Sequence, residues 1–502
     1  MNESAGMPKH VLSKSTFLLG VRCHKALYLN KHHLKLKNRM TVEKKHKFET
    51  GNEVGMLAHE LFPGGEMVKV LSFGNFQKAV SHTQNLISEG IKTIYEAAIQ
   101  YDGVLVLVDI LVKGNSGWKI YEVKSSTGMK PQYEHDAAIQ YYVATKAGLE
   151  VEDISLVYIN NQYVRSGEVD VKGLFTIESV LEPVLEAQDS IEGTIPGLKQ
   201  VPRSPEIPTI DIGEYCCDPY ECDFTGYCWR HVPEDSVFEL KGLTNPKKFN
   251  LYRSGVLSLD QIPDEYPLND NQRIQVECSK SQSSYVDHES IQAFLQDIHY
   301  PLYFLDFETY APAIPLYDNS RPYQHIPFQY SLHVKESEQA ELKHYEFLGM
   351  PQEDPRRELI ERLLGNLGGE GDIIVYNEGF ETRILKELIQ DFPEHEDRIT
   401  GIIERIKDLM FPFQKRYYYT PEMQGSYSIK AVLPALVPEL DYGDLEVSEG
   451  NSAMIAFEQL LDETDESIIS NTKGNLLEYC KRDTLAMVRI LEVLRNIEGG
   501  GA

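Results

Sequence analysis

The chain has 502 residues, 42% hydrophobic and 25% charged, with 77 acidic against 49 basic side chains and a net charge of −28. That length exceeds what one hydrophobic core fills, so two or three domains are expected, and the composition excludes a disordered or collagen-like chain. No apolar run approaches the ~20 residues needed to cross a bilayer and residues 1–14 lack a signal-peptide core, so the expectation is a cytoplasmic protein with no membrane association.

The charge is uneven. Residues 1–50 hold eleven Lys and Arg against three Glu, a net of +8, which leaves −36 for the remainder. A basic face beside an acidic body can steer a polyanion into one groove, and a solvated basic helix without a ligand has the same charge.

From the N-terminus, residues 9–50 read as mostly helical, and 51–62 continue with Val54, Leu57, Ala58 and Leu61 at helical spacing. Residues 101–112 are a strand-like run and 118–124 a second strand; the glycine-bounded turn 114–117 joins them as a hairpin. Residues 132–147 read as a helix, 154–160 as a strand and 176–190 as a helix, before the proline-rich stretch 196–208. Residues 232–298 read as a small helical connector. Strands are expected at 302–308 and 373–376, a helix starts at 377–381, and another spans 476–491. The expected domains are 1–231, 232–298 and 299–498.

Strand alternation puts Glu122 and Lys124 on one face, and the hairpin brings Asp109 beside them. Two carboxylates and an ammonium suit Mg²⁺ or Mn²⁺, with Lys124 steadying the attacking water or the charge on a phosphate, and His59 is a further candidate ligand. A salt-bridged wet strand face has the same letters. The order Gly55-x-x-x-His59, Asp109, Glu122-x-Lys124, then Gln140-Tyr141 on a helix resembles the PD-(D/E)XK nuclease superfamily, especially its RecB-like branch. The resemblance implies that His59, Asp109 and Glu122 are metal ligands, Lys124 the catalytic lysine, and Gln140 a helper that touches DNA or the active-site water.

Seven cysteines, an odd number, in a reducing compartment favour metal binding over disulfides. Cys23 stands near the start, while Cys216, Cys217, Cys222 and Cys228 crowd together; the candidate ligands are Cys23, Cys216, Cys222 and Cys228, with Cys217 competing for the place of Cys216. Four thiolates fit zinc as well as an iron–sulfur cluster. One N-terminal cysteine plus a C-terminal trio is similar to iron–sulfur nucleases such as AddB and the CRISPR-adaptation exonucleases, which implies a [4Fe-4S] cluster clamping the two ends of the nuclease domain. Cys278 and Cys480 fall outside the pattern and read as small core residues.

The strand at 302–308 carries Asp306 and Glu308 on one face, and two buried acids this close repel unless a divalent cation joins them. Asn377-x-x-Phe380-Glu381 follows, and Tyr479 and Asp483 share one face of the last helix. This order resembles the DEDDy exonucleases of the DnaQ-like, RNase H-type fold. The resemblance implies that Asp306, Glu308, Glu381 and Asp483 hold two metal ions and that Tyr479 orients the attacking water; Glu381 stands where the family has aspartate. Asp408 reads as a compensating acid or a helix-surface residue. Residues 321–324 and 415–419 interleave basic and aromatic groups, which suits stacking on unpaired bases and equally suits core tyrosines.

The expected fold class is thus α/β: a PD-(D/E)XK restriction-endonuclease-like domain, a small helical connector and an RNase H-like domain. The whole chain resembles a bacterial family that fuses the two nuclease modules, which implies a metal-dependent exonuclease acting on DNA, single-stranded, in repair, recombination or defence. RNA is the alternative substrate, and the other functional class is a nucleic-acid-binding or sensing protein with idle acids on an iron–sulfur scaffold. Residues 368–371 lack the Gly-Lys-Ser/Thr of a phosphate loop, so no nucleotide cofactor is expected and unwinding would need a helicase partner.

Overall fold

A computed structural model describes residues 12–69, 76–443 and 445–499 and shows a mixed α/β chain that divides into two units. The first holds residues up to 231 together with 312–323, and the second holds 232–311 together with the rest. Residues 232–298, expected as a separate connector, belong to the second unit, where Val237, Leu240, Leu259, Ile262 and Val276 form a buried cluster.

Seven strands build the sheet of the first unit: β1 (Leu12–Ser13), β2 (Glu66–Met67), β3 (Thr93–Tyr101), β4 (Val104–Lys113), β5 (Trp118–Lys124), β6 (Val151–Ile159) and β7 (Phe175–Ser179). Their order is β2-β3-β4-β5-β6-β7, with β1 parallel to the start of β4. Strands β3, β4 and β5 form an antiparallel meander, whereas β5 and β6 run parallel and therefore need a crossover. The helices introduced in this unit are α1 (Lys14–Arg22), α2 (His24–His32), α3 (Val42–Ala58), α4 (Phe76–Ser88) and α5 (Pro131–Lys146). The crossover is α5, whose Ala137, Ala138, Ile139, Val143 and Ala144 are fully buried in the same core as β4.

Two strands differ from the sequence expectation. Tyr101 closes β3 rather than opening β4, because Asp102 and Gly103 both adopt positive φ (43° and 71°) and make the two-residue hairpin turn that matches strand twist. Residues 176–190 do not form one helix. Thr176 and Ile177 are β-branched and complete β7 against β6, and helices begin only at Leu181 and Gln188.

The second unit adds β8 (Tyr285–Val286), β9 (Leu302–Tyr310), β10 (Ile326–Lys335), β11 (Lys343–Leu348), β12 (Asp372–Val375), β13 (Ile406–Asp408) and β14 (Tyr418–Tyr419). Five of these form one sheet in the order β11-β10-β9-β12-β13, antiparallel on the β10 side of β9 and parallel on the β12 side. Strand β9 is central and nearly continuous in apolar residues, as a strand covered on both faces must be. The helices introduced here are α6 (Glu378–Asp391), α7 (Ile429–Leu436), α8 (Gly450–Gln459) and α9 (Glu466–Gly499). Tyr303, Leu305 and Phe307 share a core with Ile384, Leu385 and Leu388 of α6. Alternation therefore turns Asp306 and Glu308 to the opposite face of β9. Among the described residues, no helix is long and apolar enough to cross a membrane.

Two candidate carboxylate sites and a cysteine-lined cavity

In the first unit, Ile110 pairs with Tyr121, which puts Asp109 across from Glu122 where the β4–β5 ladder opens. Asp109 Oδ2 accepts the Val123 N–H at 2.7 Å and so takes the donor that the ladder leaves. Glu122 is 2% exposed. Its Oε1 accepts from Lys124 Nζ at 2.8 Å and Lys14 Nζ at 2.7 Å, and its Oε2 accepts from Gln140 Nε2 at 2.6 Å. Lys124 also pairs with Asp136 on α5. Gln140 is wholly buried and, among the described residues, its Oε1 has no partner, a spare acceptor beside the carboxylates.

The two acids divide one negative charge between them. Burial, reinforced by the charge of Glu122, pushes Asp109 up to about 8. Burial also opposes ionisation of Glu122, but the ammonium groups of Lys14 and Lys124 outweigh it and hold that carboxylate at about 2. Lys124 is held above its ordinary value by Glu122 and Asp136 against burial, so it stays an ammonium.

Two members of this site were not legible in the sequence. Lys14 opens α1 and comes from 108 residues away. Glu96 stands opposite Asp109 in an unshifted β3–β4 ladder, where Tyr95 pairs with Ile110 and Ala97 with Val108, and it adopts a positive φ of 56°. Its carboxyl is pushed up by burial and by the charge of Glu122, against Lys14. His59 is placed differently from the expected ligand. It ends α3 with its ring stacked on Tyr95 at 4.1 Å, and among the described residues it makes no polar contact with Asp109 or Glu122.

Cys23, Cys216, Cys222 and Cys228 line one cavity with Ile210, Phe224 and Trp229. Cys217 is not among its walls, which separates it from Cys216. Cys23 caps α2, where the N–H groups of Lys25 and Ala26 act on its sulfur, and the Phe224 N–H acts likewise on Cys222. Burial pushes the thiols of Cys23, Cys222 and Cys228 up, against the opposing charges of Lys25, Arg22 and Arg230. Among the described residues, no three of these sulfurs approach within 4.8 Å of one another.

In the second unit, the end of β9, the start of α6 and the middle of α9 converge. Glu308, Glu381 and Asp483 are 7%, 2% and 6% exposed, and Asp306 is part-exposed. Burial first, then mutual repulsion, lifts Asp306, Glu308 and Glu381 well above the carboxylate range. Asp483 rises to about 6 through burial, moderated by hydrogen bonds from Tyr442 and Tyr479 and by the charge of Lys430. The Tyr442 phenol donates to Asp483 Oδ1 at 2.5 Å. Lys430 on α7 lies 5.1 Å from the Tyr479 ring centre and 5.6 Å from that of Tyr442. The Glu381 carboxyl accepts from the Phe307 N–H, while its Oε2 has no hydrogen-bond partner among the described residues.

Tyr442 and Lys430 were missed because neither has a spacing that ties it to the acids. Cys480, expected as an ordinary core residue, instead faces the acids: its sulfur lies 3.5 Å from Asp306 Oδ2. Asp408 is neither a compensating ligand nor a helix-surface residue. It ends β13 and accepts the N–H groups of Asn377 at 3.0 Å and Glu378 at 3.2 Å, which holds the start of α6 in place. The basic-aromatic stretch 415–419 is partly internal: Arg416 and Tyr419 are each 2% exposed and stack at 4.4 Å. Tyr323 donates its phenol to the Ser125 carbonyl within the first unit.

Residues 303–428 match the family described as a domain of unknown function, DUF2779. The matched segment contains Asp306, Glu308 and Glu381 and stops before Tyr479 and Asp483. The chain is similar to the uncharacterised protein MG366 homolog of Mycoplasma pneumoniae, 28% identical over 206 residues, covering 37% of this chain and 31% of that protein. It is similar to the uncharacterised protein UU173 of Ureaplasma parvum, 28% identical over 220 residues, covering 39% and 31%. The chain thus spans under a third of the length of these curated relatives.

Proposed function

We propose that the protein is a divalent-metal-dependent nuclease with two hydrolytic sites, an exonuclease acting on single-stranded DNA in the cytoplasm. The observation that carries this reading is the second-unit cluster of Asp306, Glu308, Glu381 and Asp483. Three buried acids and the part-exposed Asp306 gather there, Lys430 acts on Asp306, Glu308 and Asp483, and Glu381 keeps an oxygen with no partner among the described residues. Such a group must either retain protons or share divalent cations, and the cations would supply Lewis acidity and an activated water at a phosphodiester. Asp306, Glu308, Glu381 and Asp483 would hold them. Tyr479 and Tyr442 donate hydrogen bonds that keep Asp483 ionised and oriented. The RNase H-type, DEDDy reading is supported by the origin of these acids on a central strand, the start of one helix and the middle of another.

The first unit supports a RecB-like PD-(D/E)XK reading through Asp109, Glu122, Lys124 and Gln140. Asp109 and Glu122 would hold the cation, Lys124 would face the phosphate, and Gln140 Oε1 would accept from water. A second reading applies to this unit alone: both lysines already neutralise Glu122, which favours a nucleic-acid-binding module with its carboxylates committed to internal ion pairs.

The four thiols in an apolar-walled cavity fit a thiophilic metal centre. A single zinc with Zn–S near ~2.3 Å would bring tetrahedral thiolates to about 3.8 Å of one another. The resemblance to iron–sulfur nucleases favours instead a multi-atom iron–sulfur cluster held by Cys23, Cys216, Cys222 and Cys228, which line one cavity, with zinc as the alternative. DNA unwinding would fall to a separate helicase.

The test is degradation of end-labelled single-stranded DNA and RNA with Mn²⁺ by wild type, Glu122→Ala and Asp306→Ala. Each substitution should remove a different activity. Wild-type protein inert on both polymers would end the reading.

A further inference from the structure

Cys480 is fully buried and sits three residues before Asp483, on the same face of α9. Its sulfur lies 3.5 Å from Asp306 Oδ2 and 3.8 Å from the Asp306 carbonyl oxygen. Ligand atoms of Asp306, Glu308 and Cys480 all fall within 4.8 Å of one another. A second observation points to a cation here: Glu381 is 2% exposed, its Oε2 has no partner, and its carboxyl is repelled by the charges of Asp306 and Glu308. A thiol that merely donates to Asp306 leaves the Oε2 of Glu381 without a partner among the described residues and the acids repelling. A cation within the triangle relieves the repulsion among the acids and has the sulfur at its edge.

We propose that Cys480 is a metal ligand, making the second site a mixed oxygen–sulfur centre that takes a borderline-soft divalent cation, of the cobalt and zinc class, in preference to Mg²⁺. This rests on the reading that Asp306 and Glu308 hold a cation and specifies which kind. Mg²⁺ demands oxygen ligands at short, near-octahedral distances, whereas thiolate sulfur favours the softer ions. The sulfur binds as thiolate, and its proton passes to solvent on metal entry.

Co²⁺ is the probe, because cobalt–thiolate bonds absorb in the near ultraviolet. The full chain is titrated with Co²⁺ as wild type, Cys480→Ser and Asp306→Asn, with folding followed by circular dichroism. The two variants should lose the same increment of absorbance, while any remainder belongs to the cysteines of the first unit. Cys480→Ser should also lower the ratio of Co²⁺- to Mg²⁺-supported activity by about tenfold or more, the scale on which metal-site substitutions act. Absorbance and activity ratio both unchanged in Cys480→Ser would reduce the thiol to a hydrogen-bond donor and overturn the proposal. If Asp306→Asn were still inactive in that case, the nuclease reading would stand. If the wild type cut nothing with either ion, that reading would fall, and the lost cobalt absorbance would still decide whether Cys480 binds metal.

Discussion

Lys14 Nζ lies 2.7 Å from Glu122 Oε1, on the same carboxylate oxygen that accepts from Lys124 Nζ at 2.8 Å. Two ammonium groups thus meet one oxygen that a cation would need. Lys14→Met should therefore tighten Mn²⁺ binding by the first unit, since one competitor for Glu122 is gone. The same change should cost the cation-free protein roughly 1.5–3 kcal/mol, the worth of a hydrogen bond to a charged group. Urea unfolding with and without Mn²⁺ reads both effects; weaker Mn²⁺ binding in the variant would show that Lys14 supports the site rather than competes for it.

In the proposed second site, Tyr442 would be a positioning residue acting through Asp483, to which its phenol donates. Tyr442→Phe removes the donor that favours the ionised carboxylate, so Asp483 should titrate above its present value of about 6. The acid limb of the pH–rate profile of the second site should move to higher pH, with activity at neutral pH reduced about tenfold. A lower rate with an unshifted limb would assign Tyr442 a packing role only.

Stability in the absence of cations should fall as pH rises. Asp109 and Asp483 bind protons more tightly when folded, at about 8 and about 6, than in the unfolded chain. Their contribution is complete below the ordinary carboxylate range and is lost as pH climbs through those two values. Glu122, held at about 2, has the opposite sign, and its contribution is lost only when acid approaches that value. A divalent cation needs these acids deprotonated, so Mn²⁺ at about a hundredfold over its dissociation constant should restore roughly 2.7 kcal/mol at alkaline pH and less in acid. Denaturant curves in chelator and in Mn²⁺ across this range test it; identical curves would leave the acids without a cation.

The cavity separates two adjacent cysteines. Cys216→Ala should strip the first unit of its iron or zinc and lower the melting temperature by roughly 10 °C, because metal binding is coupled to folding. Cys217→Ala should keep both. Elemental analysis of the purified variants decides this, and equal metal loss in the two would remove the distinction that the cavity walls draw.

Alternation and short-range spacing were enough to place Asp306 with Glu308, Glu122 with Lys124, and Tyr479 with Asp483, because each pair lies on a single strand or helix whose period fixes its face. The hairpin between Asp109 and Glu122 was readable for the same reason, since a tight turn leaves little freedom of register. The sequence could not show that Lys14 reaches Glu122, that the β3–β4 register sets Glu96 opposite Asp109, that Cys480 rather than solvent neighbours Asp306, or that Asp408 ends a strand. Each depends on contacts between elements distant in sequence, or on the register of a ladder. His59 illustrates the converse: a motif position fixed its residue type, but the place where α3 ends set its ring on Tyr95 of β3. The chain alone determined which acids and thiols exist and on what local frame. Only the tertiary structure decided which charges meet, because burial and distance, not residue order, set whether a carboxylate finds an ammonium, a phenol or a place for a cation.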